Sequence, residues 1–172
     1  MFSKTDIEKY FIGEKQESWI FIAIGLAAII LAIIFFLVMK TSLYKGLAVP
    51  LLLIGIIMAT VGFTVYERSD RQRVDNVYAY DMNPSLLKEQ ELPRMEKVMK
   101  SFVLLRWVEI FLLLTGIALY LYFIRDFTHD FWRGFGFALA LMALIALCAD
   151  YFAEQRGRIY TKGLQSFTSN IK

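Results

Sequence analysis

The sequence is poor in the residues on which small disulfide and metal proteins depend. It holds one cysteine, Cys148, and one histidine, His129, in 172 residues. A single cysteine excludes an intrachain disulfide and a two-cysteine redox relay. A single histidine excludes a pair of histidine ligands for a metal or haem within one chain. Because Cys148 lies in an apolar stretch, we expect it to pack as a small hydrophobic side chain.

Sequence motifs of the common enzyme classes are missing as well. The chain has no nucleophile elbow, zinc signature or glycine-rich phosphate loop. Its net charge is only +3, and its basic residues do not form clusters interleaved with aromatic residues, as nucleic-acid-binding surfaces do. The sequence therefore predicts a protein that is not an enzyme, uses no cofactor or metal and binds no nucleic acid.

Long apolar runs are what the sequence has instead. Hydrophobic residues make up 58% of the chain. The runs 19–39 and 46–66 are each 21 residues without a charge, and about 20 such residues cross a bilayer core. Two later runs have shorter uncharged cores, 110–124 and 134–149, and reach membrane length only with charged residues at one end. We therefore expect an all-α integral membrane protein with a bundle of four transmembrane helices.

An internal repeat relates the two halves of the chain. Residues 7–68 align without gaps on residues 95–156 at a constant offset of 88, and the polar and aromatic matches carry the alignment, as in Trp19 with Trp107 and Arg68 with Arg156. The repeat predicts two tandem helical hairpins. The first extends over about 7–68, with spans at about 18–40 and 44–67. The second extends over about 94–156, with spans at about 103–125 and 131–153. A connector, about 69–93, joins them, and a tail, 157–172, follows.

The basic residues indicate the orientation of the chain in the membrane. Fifteen of the 19 lysines and arginines lie in segments 1–18, 67–109 and 154–172. Cytoplasmic segments are enriched in these residues, so both termini and the connector should be cytoplasmic, with the helices extending into a small cap on that side. The bacterial inner membrane is the expected location.

Local signals place several helix ends. The segment Thr5-Asp6-Ile7-Glu8 matches a capping box and predicts a helix start there. Asn83-Pro84 predicts a turn after the second helix.

Two carboxylates inside the predicted spans are the strongest candidates for a functional site, because buried charge in a membrane is costly. Glu109 and Asp150 should both lie at a shallow depth on the cytoplasmic side. Asp150 shares a helix face with Gly136, Ala140, Ala143 and Glu154, and small residues in membrane helices face other helices. We therefore predict an intramembrane polar site formed by Glu109, Asp150, Glu154 and Arg106, where two carboxyl groups would share a proton.

These charges also have a purely structural interpretation, which the sequence favours. Arg106 is three residues before Glu109 and would pair with it on the same helix, and Glu154 would pair with Arg158 at a spacing of four.

Two further polar segments were considered. The charged stretch that contains Glu67, Arg68, Asp70, Arg71 and Arg73 predicts a docking surface for a protein partner or for lipid headgroups. The loop from Asp126 to Asp130 includes His129 between acids, but a solvated turn is a better interpretation than a metal site.

Two functions remain open from the sequence. The favoured one is a non-enzymatic membrane protein that acts by binding another protein, as an accessory or regulatory subunit or as protection against a toxin. The alternative is a homo-oligomeric ion channel or small transporter that uses Glu109 and Asp150. The chain carries no continuous polar stripe through any span, which argues against a pore.

Overall fold

The structure is a computed structural model that describes residues 2–169. It contains four long helices and, in the described residues, no strand. The four helices are α1, Lys4–Ile34; α2, Ser42–Met82; α3, Leu92–Phe123; and α4, Asp130–Thr168. One-turn π-helices, Phe35–Met39 and Leu87–Glu91, extend α1 and precede α3, and the 3-10 turn Phe127–His129 precedes α4. The prediction of an all-helical fold is confirmed.

All four helices are long and apolar enough to cross a membrane, which indicates an integral membrane protein. The longest, α2, has 41 residues, or about 60 Å at 1.5 Å per residue, twice the thickness of a bilayer core. Every helix therefore extends well beyond the length that a membrane requires.

The first helix starts two residues before the predicted capping box. Ser3 is the N-cap, and its backbone N–H and its hydroxyl both donate to the Asp6 carboxylate at 2.8 Å. The motif is thus Ser3-x-x-Asp6 rather than Thr5-x-x-Glu8, because Asp6 reaches back to the free N–H of Ser3. The predicted turn at Asn83 is confirmed, since α2 ends at Met82 and Leu86 N–H bonds to the Asn83 carbonyl at 3.1 Å.

Helices pack closely where glycines remove the side chain. A Cβ atom on Gly25 of α1 would lie 2.6 Å from the Ala59 nitrogen of α2, and one on Gly116 of α3 would lie 2.5 Å from the Ala140 nitrogen of α4. Such distances are below van der Waals contact, so only glycine permits these backbones to approach. The pairs α1–α2 and α3–α4 are each joined in this way.

The two helix pairs meet through α2 and α4 at a reciprocal crossing. A Cβ atom on Gly46 of α2 would overlap the Phe131 carbonyl oxygen, and one on Gly134 of α4 would overlap the Leu43 carbonyl oxygen. The apolar core beside this crossing is formed by α1, α2 and α4, and its buried members include Ala32, Ala48, Leu51, Met58, Ala138 and Met142.

The opposite end of the molecule is a second apolar core, which we call the cap. It joins the start of α1, the end of α2, the π-helix before α3 and the end of α4, and its buried side chains include Phe2, Ile7, Phe11, Leu87, Met95, Tyr160 and Leu164. Cys148, which we expected to pack inside the protein, is instead exposed on α4.

The reciprocal crossing makes a prediction for stability. Gly46→Ala and Gly134→Ala should each lower the free energy of unfolding by about 1–3 kcal/mol, because the added methyl group must displace backbone. Gly157→Ala is the control, since its Cβ would meet only the flexible Met99 sulfur, at 3.2 Å. Denaturant titration in detergent micelles measures the difference. Equal stability of all three variants would contradict the close packing.

Candidate functional site in the pocket between the third and fourth helices

The four residues of the predicted polar site line one pocket. Arg106 and Glu109 reach it from α3, and Asp150 and Glu154 reach it from α4. Its volume is about 220 Å³, and its remaining wall is apolar and aromatic, formed by Phe102, Ile110, Leu147 and Tyr151. About two helical turns after Glu109 on α3, Gly116 packs against Gly136 and Ala140 of α4 and holds the two helices together. The pocket therefore lies where the small residues of the α3–α4 interface are followed by polar ones.

The arginine of the pocket pairs across the helix interface. The guanidinium of Arg106 donates to one oxygen of Glu154, and Arg158 donates to the other at 2.6 Å. The Glu154–Arg158 pair expected from the sequence is therefore present. Arg106 forms its ion pair with Glu154 of the opposite helix, not with Glu109 of its own helix. Glu154 is buried and has two cationic partners, so its charge is compensated.

Glu109 is not compensated in this way. It is 8% exposed, and its Oε2 atom accepts no hydrogen bond from any residue that the structure describes. Its carboxyl group lies within hydrogen-bonding contact of the Asp150 carboxyl. One of two carboxyl groups in contact must carry a proton to donate, or a cation must lie between them. Glu109 and Asp150 are therefore the two acids of the pocket that no ion pair with a described residue neutralises.

The equivalent place in the first hairpin is closed. At an offset of 88, the counterparts of Asp150 and Arg106 are Gly62 and Ser18. A Cβ on Gly62 would lie 2.8 Å from the Ser18 carbonyl oxygen, so α1 and α2 touch there. Tyr66, the counterpart of Glu154, packs against the Trp19 ring. Carboxylate side chains at these positions thus separate α3 from α4 and open the pocket.

A buried polar network in the cap escaped the sequence analysis. Glu91 binds Arg94 through two hydrogen bonds of 2.7 Å and accepts a third, of 3.1 Å, from the Tyr160 hydroxyl. Tyr160 stacks on Tyr10 at 4.2 Å, and Tyr10 donates to Glu14 at 3.3 Å. Burial raises the pKa of both tyrosine hydroxyls, so they remain protonated donors. The Glu91–Arg94 spacing of three was the one sequence signal for this network, which joins the start of α1, the start of α3 and the end of α4.

The predicted docking surface on α2 is only partly free. Arg68 pairs with Glu14 at 3.5 Å, while Asp70 pairs with Lys15 and also with Arg73, at 3.7 Å. Glu67 and Arg71 are exposed, and neither makes an ion pair with a described residue. These two residues are thus the part of the surface that has no ion-pair partner among the described residues.

The loop that contains His129 is satisfied internally. Asp126 accepts hydrogen bonds from the Thr128 hydroxyl, from His129 Nδ1 at 2.7 Å and from the Thr128 N–H at 2.9 Å, and these bonds lower its pKa to about 2. Asp130 pairs with Arg133 at 2.9 Å. Among residues 2–169, no three His, Cys, Asp or Glu side chains are grouped to hold a metal ion.

Comparison with known proteins adds no family. No family model matches the chain, and no curated protein or solved structure is significantly similar to it.

The different environments of the two glutamates predict opposite effects on stability. Glu154→Gln should lower the free energy of unfolding by about 1–3 kcal/mol, because two arginines lose a charged acceptor. Glu109→Gln should leave it unchanged or raise it, since an amide donates to Asp150 without adding charge. Detergent unfolding titrations at neutral pH compare the two. A larger loss for Glu109→Gln would show that Glu109 is paired in a way that the structure lacks.

Proposed function

We propose that this protein is a small, non-enzymatic membrane carrier that exchanges a small organic cation for a proton. The observation that supports the proposal is the uncompensated Glu109 carboxyl in contact with Asp150, in a pocket between two membrane helices. Ionisable groups at such positions commonly mark substrate or proton pathways.

The lining of the pocket favours an organic cation over a metal ion. Hard metal ions prefer six or more oxygen ligands, and this pocket offers only the two carboxyl groups of Glu109 and Asp150, since Glu154 is occupied by arginines. The rings of Phe102 and Tyr151 and the side chains of Ile110 and Leu147 form the rest of the wall. Aromatic rings attract ammonium groups through their electron-rich faces. A quaternary or alkyl ammonium group fits this combination.

Exchange follows from the charge of the carboxyl pair. With one proton between them, Glu109 and Asp150 together carry one negative charge. When an ammonium cation enters the pocket, its charge replaces that of the proton, and the proton is released to water. One proton is released per cation bound, and the charge of the site stays constant. Since the polar groups lie at one depth, the arrangement favours a carrier over an open pore, which needs lining groups at several depths.

We further propose that the chain consists of two hairpins related by a pseudo-two-fold axis along the membrane normal. The reciprocal crossing supports this relation, because Gly46 and Gly134 are equivalent at the offset of 88, as are Leu43 and Phe131. The basic residues around the cap support a cytoplasmic location for both termini. We take the membrane to be a bacterial inner membrane.

The exchange can be measured with tetramethylammonium, which carries no dissociable proton. An inward gradient of tetramethylammonium chloride is imposed on proteoliposomes that contain a pH-sensitive dye. The lumen should become alkaline as protons leave. Glu109→Gln and Asp150→Asn, combined in one double variant, should abolish this change, because a pair without carboxyl groups cannot exchange a proton.

Glu67→Gln is the matched control, since it removes an exposed carboxylate of α2 outside the pocket. It should behave like the wild type. If the wild-type signal equals that of protein-free vesicles, or persists in the Glu109 and Asp150 double variant, the proposal is wrong.

Binding of a protein partner is the second candidate function. The observation in its favour is that Glu67 and Arg71, one helical turn apart on α2, are exposed and unpaired among the described residues. A complementary pair on another protein, or on a second copy of this chain, would satisfy them.

Co-purification in mild detergent, with the mass of the complex measured, tests this second function. A stoichiometric protein should co-purify with the wild type and should be lost with the Glu67→Ala/Arg71→Ala double variant. The double variant Glu8→Ala/Lys9→Ala, which removes an exposed pair on α1, should retain it. A monomeric wild type without partners would exclude this function.

A further inference from the structure

A second cavity lies next to the pocket, in the groove between α3 and α4 on the surface of the cap. Its volume is about 350 Å³. Lys100 of α3 and Arg158 and Lys162 of α4 line it, with a single acid, Glu96. All four side chains are exposed. The groove is therefore an accessible, positively charged site, whereas the neighbouring pocket is acidic.

The basic side chains of the groove have N–H donors that the ion pairs of the protein do not use. Lys100 and Lys162 form no ion pair with any residue among 2–169. Arg158 uses one nitrogen on Glu154, at 2.6 Å, and a guanidinium group has five N–H donors. Thr161 also lines the groove, but it is buried and its hydroxyl donates to the Gly157 carbonyl at 2.7 Å. The two lysines and Arg158 thus provide the set of donors that matches the oxygens of a phosphate group.

The position of the groove relative to the membrane indicates which phosphate groups it can reach. If the spans end at about 103 and 153, Lys100 lies three residues and Arg158 five residues outside the apolar layer, or about 5 and 8 Å at 1.5 Å per residue. Lipid headgroups occupy this zone. Side chains of a helix lean toward its N-terminus, so Arg158 and Lys162 lean toward the membrane and Lys100 leans away from it. The three cations thus converge at the level of lipid phosphates.

We propose that this groove binds the phosphate headgroup of an anionic lipid. Basic pockets between membrane helices on the cytoplasmic side are suited to such headgroups. The lipid holds α3 and α4 together at the point where the acidic pocket would otherwise separate them. The proposal is independent of the cation exchange, because it concerns different side chains and a different ligand.

Native mass spectrometry of the full chain tests the proposal. The protein, in mild detergent, is titrated with phosphatidylglycerol and with phosphatidylcholine of the same acyl chains. The wild type should retain one phosphatidylglycerol in preference to phosphatidylcholine. Lys100→Gln/Lys162→Gln should weaken phosphatidylglycerol binding by about 30-fold, since each lysine near a membrane surface contributes about fivefold in anionic lipid affinity.

Lys9→Gln/Lys97→Gln is the matched control, because it removes two exposed lysines of the cap that do not line the groove. It should bind phosphatidylglycerol like the wild type. Equal weakening in both double variants would overturn the proposal, since it would reflect the general surface charge. Equally tight binding of soluble glycerol phosphate would overturn the assignment to a lipid. Thermal unfolding in detergent verifies that every variant is folded.

Discussion

The close approach of helix backbones at glycine residues is the constraint on which this structure depends. Lipid offers no hydrophobic force to bring helices together, so van der Waals contact between small residues must do so. Gly25, Gly116 and the reciprocal pair Gly46 and Gly134 provide these contacts. The membrane part is in consequence held by a few crossings, and much of the surface of α1 and α3 is left exposed. The cap adds an apolar core with a buried polar network, which fixes the other end of every helix.

The pocket exists because the helices of the second hairpin are not in close backbone contact at one place. Where the first hairpin has Gly62 against Ser18, the second has Asp150 and Arg106, which both line the pocket. The larger, charged side chains hold the helices apart and need partners of opposite charge. Glu154 obtains two such partners, but Glu109 and Asp150 face each other.

The sequence predicted the helices well because their signals are local. Hydrophobic runs, the Asn83-Pro84 turn and the glycine and alanine stripe of α4 depend on residues that are close in the chain. It also placed Arg106, Glu109, Asp150 and Glu154 in one site, since helical spacing determines which residues share a face.

The pairing within the site was beyond the reach of the sequence. Spacing suggested a bond from Arg106 to Glu109 on one helix, whereas the guanidinium reaches across to Glu154. Such choices depend on the distance between helices, which the sequence does not encode locally. The network of Glu91, Arg94 and Tyr160 was missed for the same reason, as it joins residues 69 positions apart.

The most direct test of this account is a swap that gives the second hairpin the pocket residues of the first. The variant carries Arg106→Ser, Glu109→Phe, Asp150→Gly and Glu154→Tyr, and its binding of tetramethylammonium is measured by calorimetry beside the wild type. We predict a folded protein that binds no tetramethylammonium, because α3 and α4 close as α1 and α2 do. A folded variant that binds the cation as tightly as the wild type would contradict the account.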